Sequence, residues 1–156
     1  MKHKFLSYIF IFVIQFILVS CSSFSRENIK YDYLNFIFQY SGNELNTFKN
    51  TFTKNKVTVN CFVDTEHKKM LLETLERVDF FSIPDNFNST DFNDNRDYKL
   101  FIKHFGTEKT LIWNSRDLEF SIYRDKILEI ENTLFLIQED VTRYIKIPIP
   151  IKIGPN

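Results

Sequence analysis

VTVNCFVDTEHKKMLLETLERV, residues 57–78, changes its period halfway along. Up to Val63 the apolar residues alternate, at positions 57, 59, 61 and 63. That two-residue repeat is the mark of a strand with one buried face. Beyond Asp64 the spacing lengthens: Leu71, Leu75 and Val78 fall at i, i+4 and i+7, with Met70 and Leu72 beside them. Lys68, Lys69, Glu73, Glu76 and Arg77 take the other face, so the segment predicts an amphipathic helix of about 14 residues. Asp64 or Thr65 can cap it, and Glu66 lies in the first turn, where the helix dipole favours an anion. The helix ends before Asp79-Phe80-Phe81-Ser82-Ile83-Pro84, because the proline disfavours helical backbone at Ile83. Cys61 falls on the apolar side of the strand and reads as a small buried hydrophobe.

Working outward, the flanking segments supply more strands. Tyr31 to Tyr40 is aromatic and β-branched and stops at the turn signal Ser41-Gly42-Asn43. Leu45 to Thr53 reads as a second strand, broken from the third by Lys54-Asn55-Lys56. Downstream, Asp85 to Arg96 is a polar loop. Tyr98–Phe105 and Lys109–Trp113 then form a hairpin around Gly106-Thr107. After the loop Asn114–Asp117, Tyr123, Ile127, Ile130, Leu134, Ile137, Val141 and Tyr144 make an unbroken apolar stripe at alternating steps of four and three. This predicts a second helix, ~30 Å long, packed on the sheet. Pro148 and Pro150 end it, and Ile145–Ile153 is expected as an extended tail or edge strand. The order is β-β-β-α-β-β-α. The expected fold is α+β: a single antiparallel sheet of about five strands with two helices packed on one face.

The N-terminus has a different character. Lys2 and Lys4 head an apolar run from Phe5 to Val19, broken by Ser7 and Gln15. The run is shorter than the ~20 residues a membrane-crossing helix needs. A basic head, a short apolar middle and a small-residue end describe an export signal. Leu18-Val19-Ser20-Cys21 resembles the lipobox of bacterial lipoproteins. That resemblance implies cleavage before Cys21, acylation of its sulfur and membrane attachment through it. Residues 1–20 are then a cleaved signal peptide, 21–30 a lipidated N-terminus and short tether, and 31–156 one domain. Ser22 follows the cysteine where, in Gram-negative lipoproteins, an aspartate favours inner-membrane retention. The expected address is therefore the outer membrane, facing the periplasm. The rest of the chain resembles small uncharacterised lipoproteins of Bacteroidetes-type bacteria. The resemblance rests on Leu45-Asn46-Thr47-Phe48, Thr51-Phe52-Thr53-Lys54, Asp79-Phe80-Phe81 with Pro84, Trp113-Asn114, and Tyr144 with Pro148. It implies the same order of elements and an envelope address, and no catalytic residue.

Charge and composition narrow the functions. The chain has 20 Lys+Arg and 20 Asp+Glu. Loss of Lys2 and Lys4 leaves a net of about −2, with no clustered basic footprint of the kind that binds nucleic acid. With Cys21 acylated, Cys61 has no partner in the chain, which excludes a disulfide framework.

Motifs for chemistry are sparse. Asp91, Asn93, Asn95 and Asp97 place oxygen ligands as a calcium loop begins. However, Arg96 stands where the turn needs glycine, and Ile102 where a bidentate glutamate is needed. A solvated polar turn is the better reading. His67, expected at a solvated helix start, and His104, on a strand, have no ligand-spaced neighbours, so no metal and no cofactor are expected. With three glycines in the chain, no phosphate cradle of backbone amides is expected. Trp113 and Asn114 are the candidate binding residues, since tryptophan is enriched where partners anchor. Otherwise Trp113 is a residue of the core rim.

Three functions remain open. The leading one is a non-enzymatic, lipid-anchored binding module with an envelope protein as its partner. A carrier of a small hydrophobic ligand or lipid would need an apolar cavity of several hundred Å³. An enzyme would need a site assembled from dispersed residues such as His104, Asp97 and Asp117.

Overall fold

A computed structural model describes residues 30–87, 97–143 and 145. Its elements are β1 (Asn35–Tyr40), β2 (Asn43–Asn46), β3 (Thr51–Lys54), β4 (Val57–Asn60), α1 (Thr65–Arg77), β5 (Asn86–Phe87), β6 (Asp97–His104), β7 (Thr107–Asn114) and α2 (Arg124–Thr142). One-turn 3-10 helices lie at Phe80–Ser82 and Asp117–Phe120. The class is α+β, with one sheet in the order β4-β3-β2-β1-β6-β7-β5.

The sheet has seven strands where about five were expected, and it is mixed where it was expected to be antiparallel. Two causes account for the difference. The stretch from Leu45 to Thr53 is two strands, because polar side chains bend the backbone between them. Asn46 Oδ1 accepts from the amides of Phe48 and Lys49, at 3.1 and 3.2 Å. Thr47 Oγ1 accepts from Phe36 N at 2.8 Å, and Asn50 closes the bend at φ 52°. Such local bonds compete with the strand ladder. The other addition is β5, which runs parallel to β7 and pairs Asn86 with Ile112 and Phe87 with Trp113. Two residues carry no period that a sequence could reveal. The first strand is also shorter than expected, because the chain is helical at 30–32 and reaches β1 through Tyr33 and Leu34.

Register explains the core. Phe38 faces Leu45 on one side and Leu100 on the other, Leu45 faces Phe52, and Leu100 faces Leu111. Phe36 and Ile102 form the next row. All these side chains are buried and share one face, as the two-residue strand period requires. The same core takes in Leu71, Leu72 and Leu75 of α1 with Ile127, Ile130, Leu134 and Ile137 of α2. Thr74 and Thr133 meet in a hydrogen bond of 3.2 Å between the two helices.

Asp64 caps α1, its carboxylate accepting from His67 N at 2.9 Å. That amide, ahead of the imidazole's charge, holds the Asp64 carboxyl below its ordinary range. His67 was expected in solvent, but its side chain is only 17% exposed. It bridges Asp64 at 2.7 Å and Asp140 of α2 at 3.0 Å.

Three hairpins turn through two residues with positive φ: Ser41-Gly42, Asn55-Lys56 and Phe105-Gly106. Positive φ at both central positions is what a tight antiparallel hairpin needs to match the strand twist. Among the described residues no helix is long and apolar enough to cross a membrane. The signal segment with Cys21, residues 91–96 of the calcium-like loop and most of the Pro-rich tail lie outside the described residues.

Candidate functional site

The last turn of α1 leads into a sharp reversal. Asp79 adopts the left-handed conformation at φ 55°, ψ 56°, and the chain drops into the 3-10 turn. Ser82 secures it twice on Asp79 O, through its amide at 3.0 Å and its hydroxyl at 2.8 Å. Of the paired phenylalanines, Phe80 turns inward and is fully buried, while Phe81 stays 46% exposed. Lys109 of β7 pins the turn to the sheet. Its ammonium donates to Ile83 O at 2.5 Å and Phe81 O at 3.3 Å, and pairs with Asp85 at 2.9 Å. It also lies 5.6 Å from the centroid of the Phe80 ring.

Between this turn, the end of α1 and the end of β6 is a cleft of about 340 Å³. Leu72, Leu75, Phe80 and Phe81 form its apolar walls; Glu76, Asp79 and His104 are its polar lining. Glu76 is tied to Lys30 by an ion pair of 2.5 Å. The bond to Glu76 raises the Lys30 ammonium above its ordinary range. His104 Nε2 is 3.1 Å from Lys30 O. A carbonyl can only accept, so Nε2 carries the proton. Among the described residues no serine, threonine, cysteine or lysine lines the cleft. The arrangement offers apolar burial with a polar margin. It does not offer a nucleophile beside a base.

The opposite end of the sheet is closed. Tyr98 stacks on Trp113 with centroids 5.2 Å apart, and Phe38 and Tyr40 continue the stack. Phe135 of α2 meets Phe38 and Tyr40 edge-on, at 5.5 and 4.8 Å. The polar atoms of this cluster find partners on α2. Trp113 Nε1 donates to Glu131 at 2.9 Å, and Tyr40 OH donates to Gln138 at 2.6 Å. Burial pushes the Glu131 carboxyl up, against the bonds it accepts from Trp113 and Tyr98. Burial, then the charge of Glu131, raises the Tyr98 phenol.

The sequence-chosen residues fall as follows. Trp113 is fully buried in the closed cluster, and Asn114 is 6% exposed. Asn114 donates to Asp97 at 2.8 Å and accepts from Arg116 N at 3.0 Å, which shapes the loop after β7. His104, Asp97 and Asp117 are not brought together. Asp97 and His104 are the two ends of the eight-residue β6, about 24 Å apart at strand rise. Asp117 follows β7 at the Asp97 end. Cys61 is buried, and burial raises its thiol. Among the described residues no group of three or more His, Cys, Asp or Glu is placed to hold a metal ion.

The cleft was not legible in the sequence. The only hint was the doubled Phe80-Phe81 after a helix stop, since two adjacent aromatics on a short turn cannot both face the core. No family model, curated protein or solved structure matches the chain.

Proposed function

We propose that this chain is a lipid-anchored protein of the bacterial cell envelope, attached through Cys21, and that its domain works by binding rather than by catalysis. The observation that carries the reading is the N-terminal series: Lys2 and Lys4, the short apolar run, and Leu18-Val19-Ser20-Cys21. Two or three acyl chains at Cys21 would hold the protein far more firmly than one, since each buried methylene contributes about 0.8 kcal/mol. The favoured address is the outer membrane facing the periplasm, with an envelope protein as partner and no cofactor. The scatter of His104, Asp97 and Asp117 removes support from the dispersed enzyme site.

A second reading, the carrier of a small hydrophobic ligand, is favoured by one observation. The cleft beside Phe80, Phe81 and His104 has about 340 Å³ and mainly apolar walls. That volume is at the low end of small-ligand sites.

The test of anchoring is metabolic labelling with an alkyne fatty acid, comparing the natural precursor with Cys21→Ser. The natural chain is expected to take up label and partition into detergent, and the variant to remain unlabelled and uncut. A Cys21→Ser chain that is still labelled and processed would refute the anchor.

A further inference from the structure

The end of the sheet where the described chain begins carries one continuous exposed aromatic surface. Tyr33 is 55% exposed and Phe105 59%, with ring centroids 4.9 Å apart. Phe105 also touches the His104 ring at 4.6 Å. His104 holds Lys30 O and lines the cleft whose outer lip is the half-exposed Phe81. Tyrosine, phenylalanine and a polar margin thus follow one another along a single edge of the molecule.

The backbone at the hairpin tip adds a second observation. Phe105 stands at φ 47° and Gly106 at φ 81°. The same two-residue turn carries Ser41-Gly42 and Asn55-Lys56 in the other two hairpins. A bulky side chain in the left-handed region is disfavoured, where asparagine and glycine go readily. A hairpin tip gains no core contact from a hydrophobe. The phenylalanine is held there against local backbone preference, and it points into solvent.

Chain length says what this edge meets. Lys30 is nine positions beyond Cys21, so it lies at most about 30 Å from an acylated sulfur. Lys30 is bonded to His104, beside Phe105. The far end of the sheet exposes another apolar pair, Phe120 at 92% and Ile122 at 89%. It lies a β6 length farther from Lys30, about 24 Å, so the near edge is the one a short tether holds closest to the membrane. Two lysines near that edge are paired: Lys30 with Glu76 at 2.5 Å and Lys103 with Glu108 at 2.6 Å. Aromatic side chains, rather than a net positive field, are its means of contact. Amphipathic rings settle at the headgroup level of bilayers without needing anionic lipid.

We infer that Tyr33, Phe105 and Phe81 form the face that lies against the bilayer surface. The inference rests on the reading of Cys21 as the anchor. It fixes which end of the domain faces the membrane and which faces away.

The test uses the acylated mature chain in phosphatidylcholine vesicles whose acyl chains carry bromine near the headgroup. Trp113 is the single tryptophan of the chain and is fully buried, so it supplies an unquenched baseline. Phe105→Trp and Tyr33→Trp are expected to add emission that brominated lipid quenches about twofold, as for rings at the interface. Phe120→Trp is expected to add emission that is not quenched, and 1 M NaCl should leave the pattern unchanged. Quenching of Phe120→Trp with none at residues 33 and 105 would overturn the inference. So would a chain that floats with the vesicles and is quenched at no position. Flotation of the Cys21→Ser chain without residues 1–20, equal to that of the acylated chain and with residue 105 still quenched, would keep the contact face and refute the anchor.

Discussion

The two ends of the sheet use the same residue types for opposite purposes. At the Tyr98 end, five aromatic rings stack and meet edge to face, and α2 covers them with Glu131 and Gln138 as partners for the indole and a phenol. At the His104 end, Tyr33, Phe105 and Phe81 are about half exposed, and the neighbouring cleft stays open. Aromatic content alone therefore says little about either core or function. What separates the two roles is whether a helix lies over the ring and whether its polar atom has an internal partner. The open end can change its side chains at low cost, as a recognition surface requires.

The largest expected effect breaks the closed end. Trp113→Ala removes a fully buried indole and should cost about 3–5 kcal/mol, read as a drop in the urea midpoint. A loss below about 1 kcal/mol would mean that the stack is not the stabilising centre.

A smaller effect concerns Glu131. Burial raises its folded pKa above the ordinary 4.5, so the folded protein binds its proton more tightly than the unfolded chain. Stability then falls as pH rises from the unfolded value through the folded one, and the penalty is complete above it. Glu131→Gln keeps an oxygen acceptor for Trp113 and carries no charge. The variant should be the more stable chain at pH 8, with an advantage that shrinks as pH is lowered to 4.5. An advantage that grew on acidification would reverse the assigned cause.

The smallest effect sharpens the contrast at the open end. Phe105→Asn places a residue suited to φ 47° at the hairpin tip and should raise stability by about 0.5 kcal/mol. The same change should weaken contact with vesicles. A stability loss above about 1 kcal/mol would show Phe105 to be structural, as surface substitutions seldom cost so much.

Much of this architecture is legible in the residues. The change of period at Val63–Asp64 places α1 within a residue or two, since both the cap and the apolar stripe lie in the local sequence. The β6–β7 hairpin and α2 follow in the same way. The bend at Thr47–Asn50 hides behind a run of Thr and Phe that reads as strand, because one of the bonds that hold it, Phe36 N to Thr47 Oγ1, comes from another strand. β5 is invisible because two residues have no period. Neither the cleft nor the exposed edge could be foreseen. Both depend on the fold carrying Lys30, Phe81 and His104 to one place across more than seventy residues of chain.

The central seam of the sheet has a consequence for the order of folding. β1 to β4 form a meander joined by short turns, and β6 with β7 form a hairpin, so each half can zip from local contacts. Among the described residues, Phe38 and Leu100 pair across the one strand junction between the halves of the sheet, some sixty residues apart in the chain. Long loops close late and slowly. The chain thus keeps its two halves separable until the β1–β6 seam forms, and that seam sets how long the unjoined sheet edges stay open.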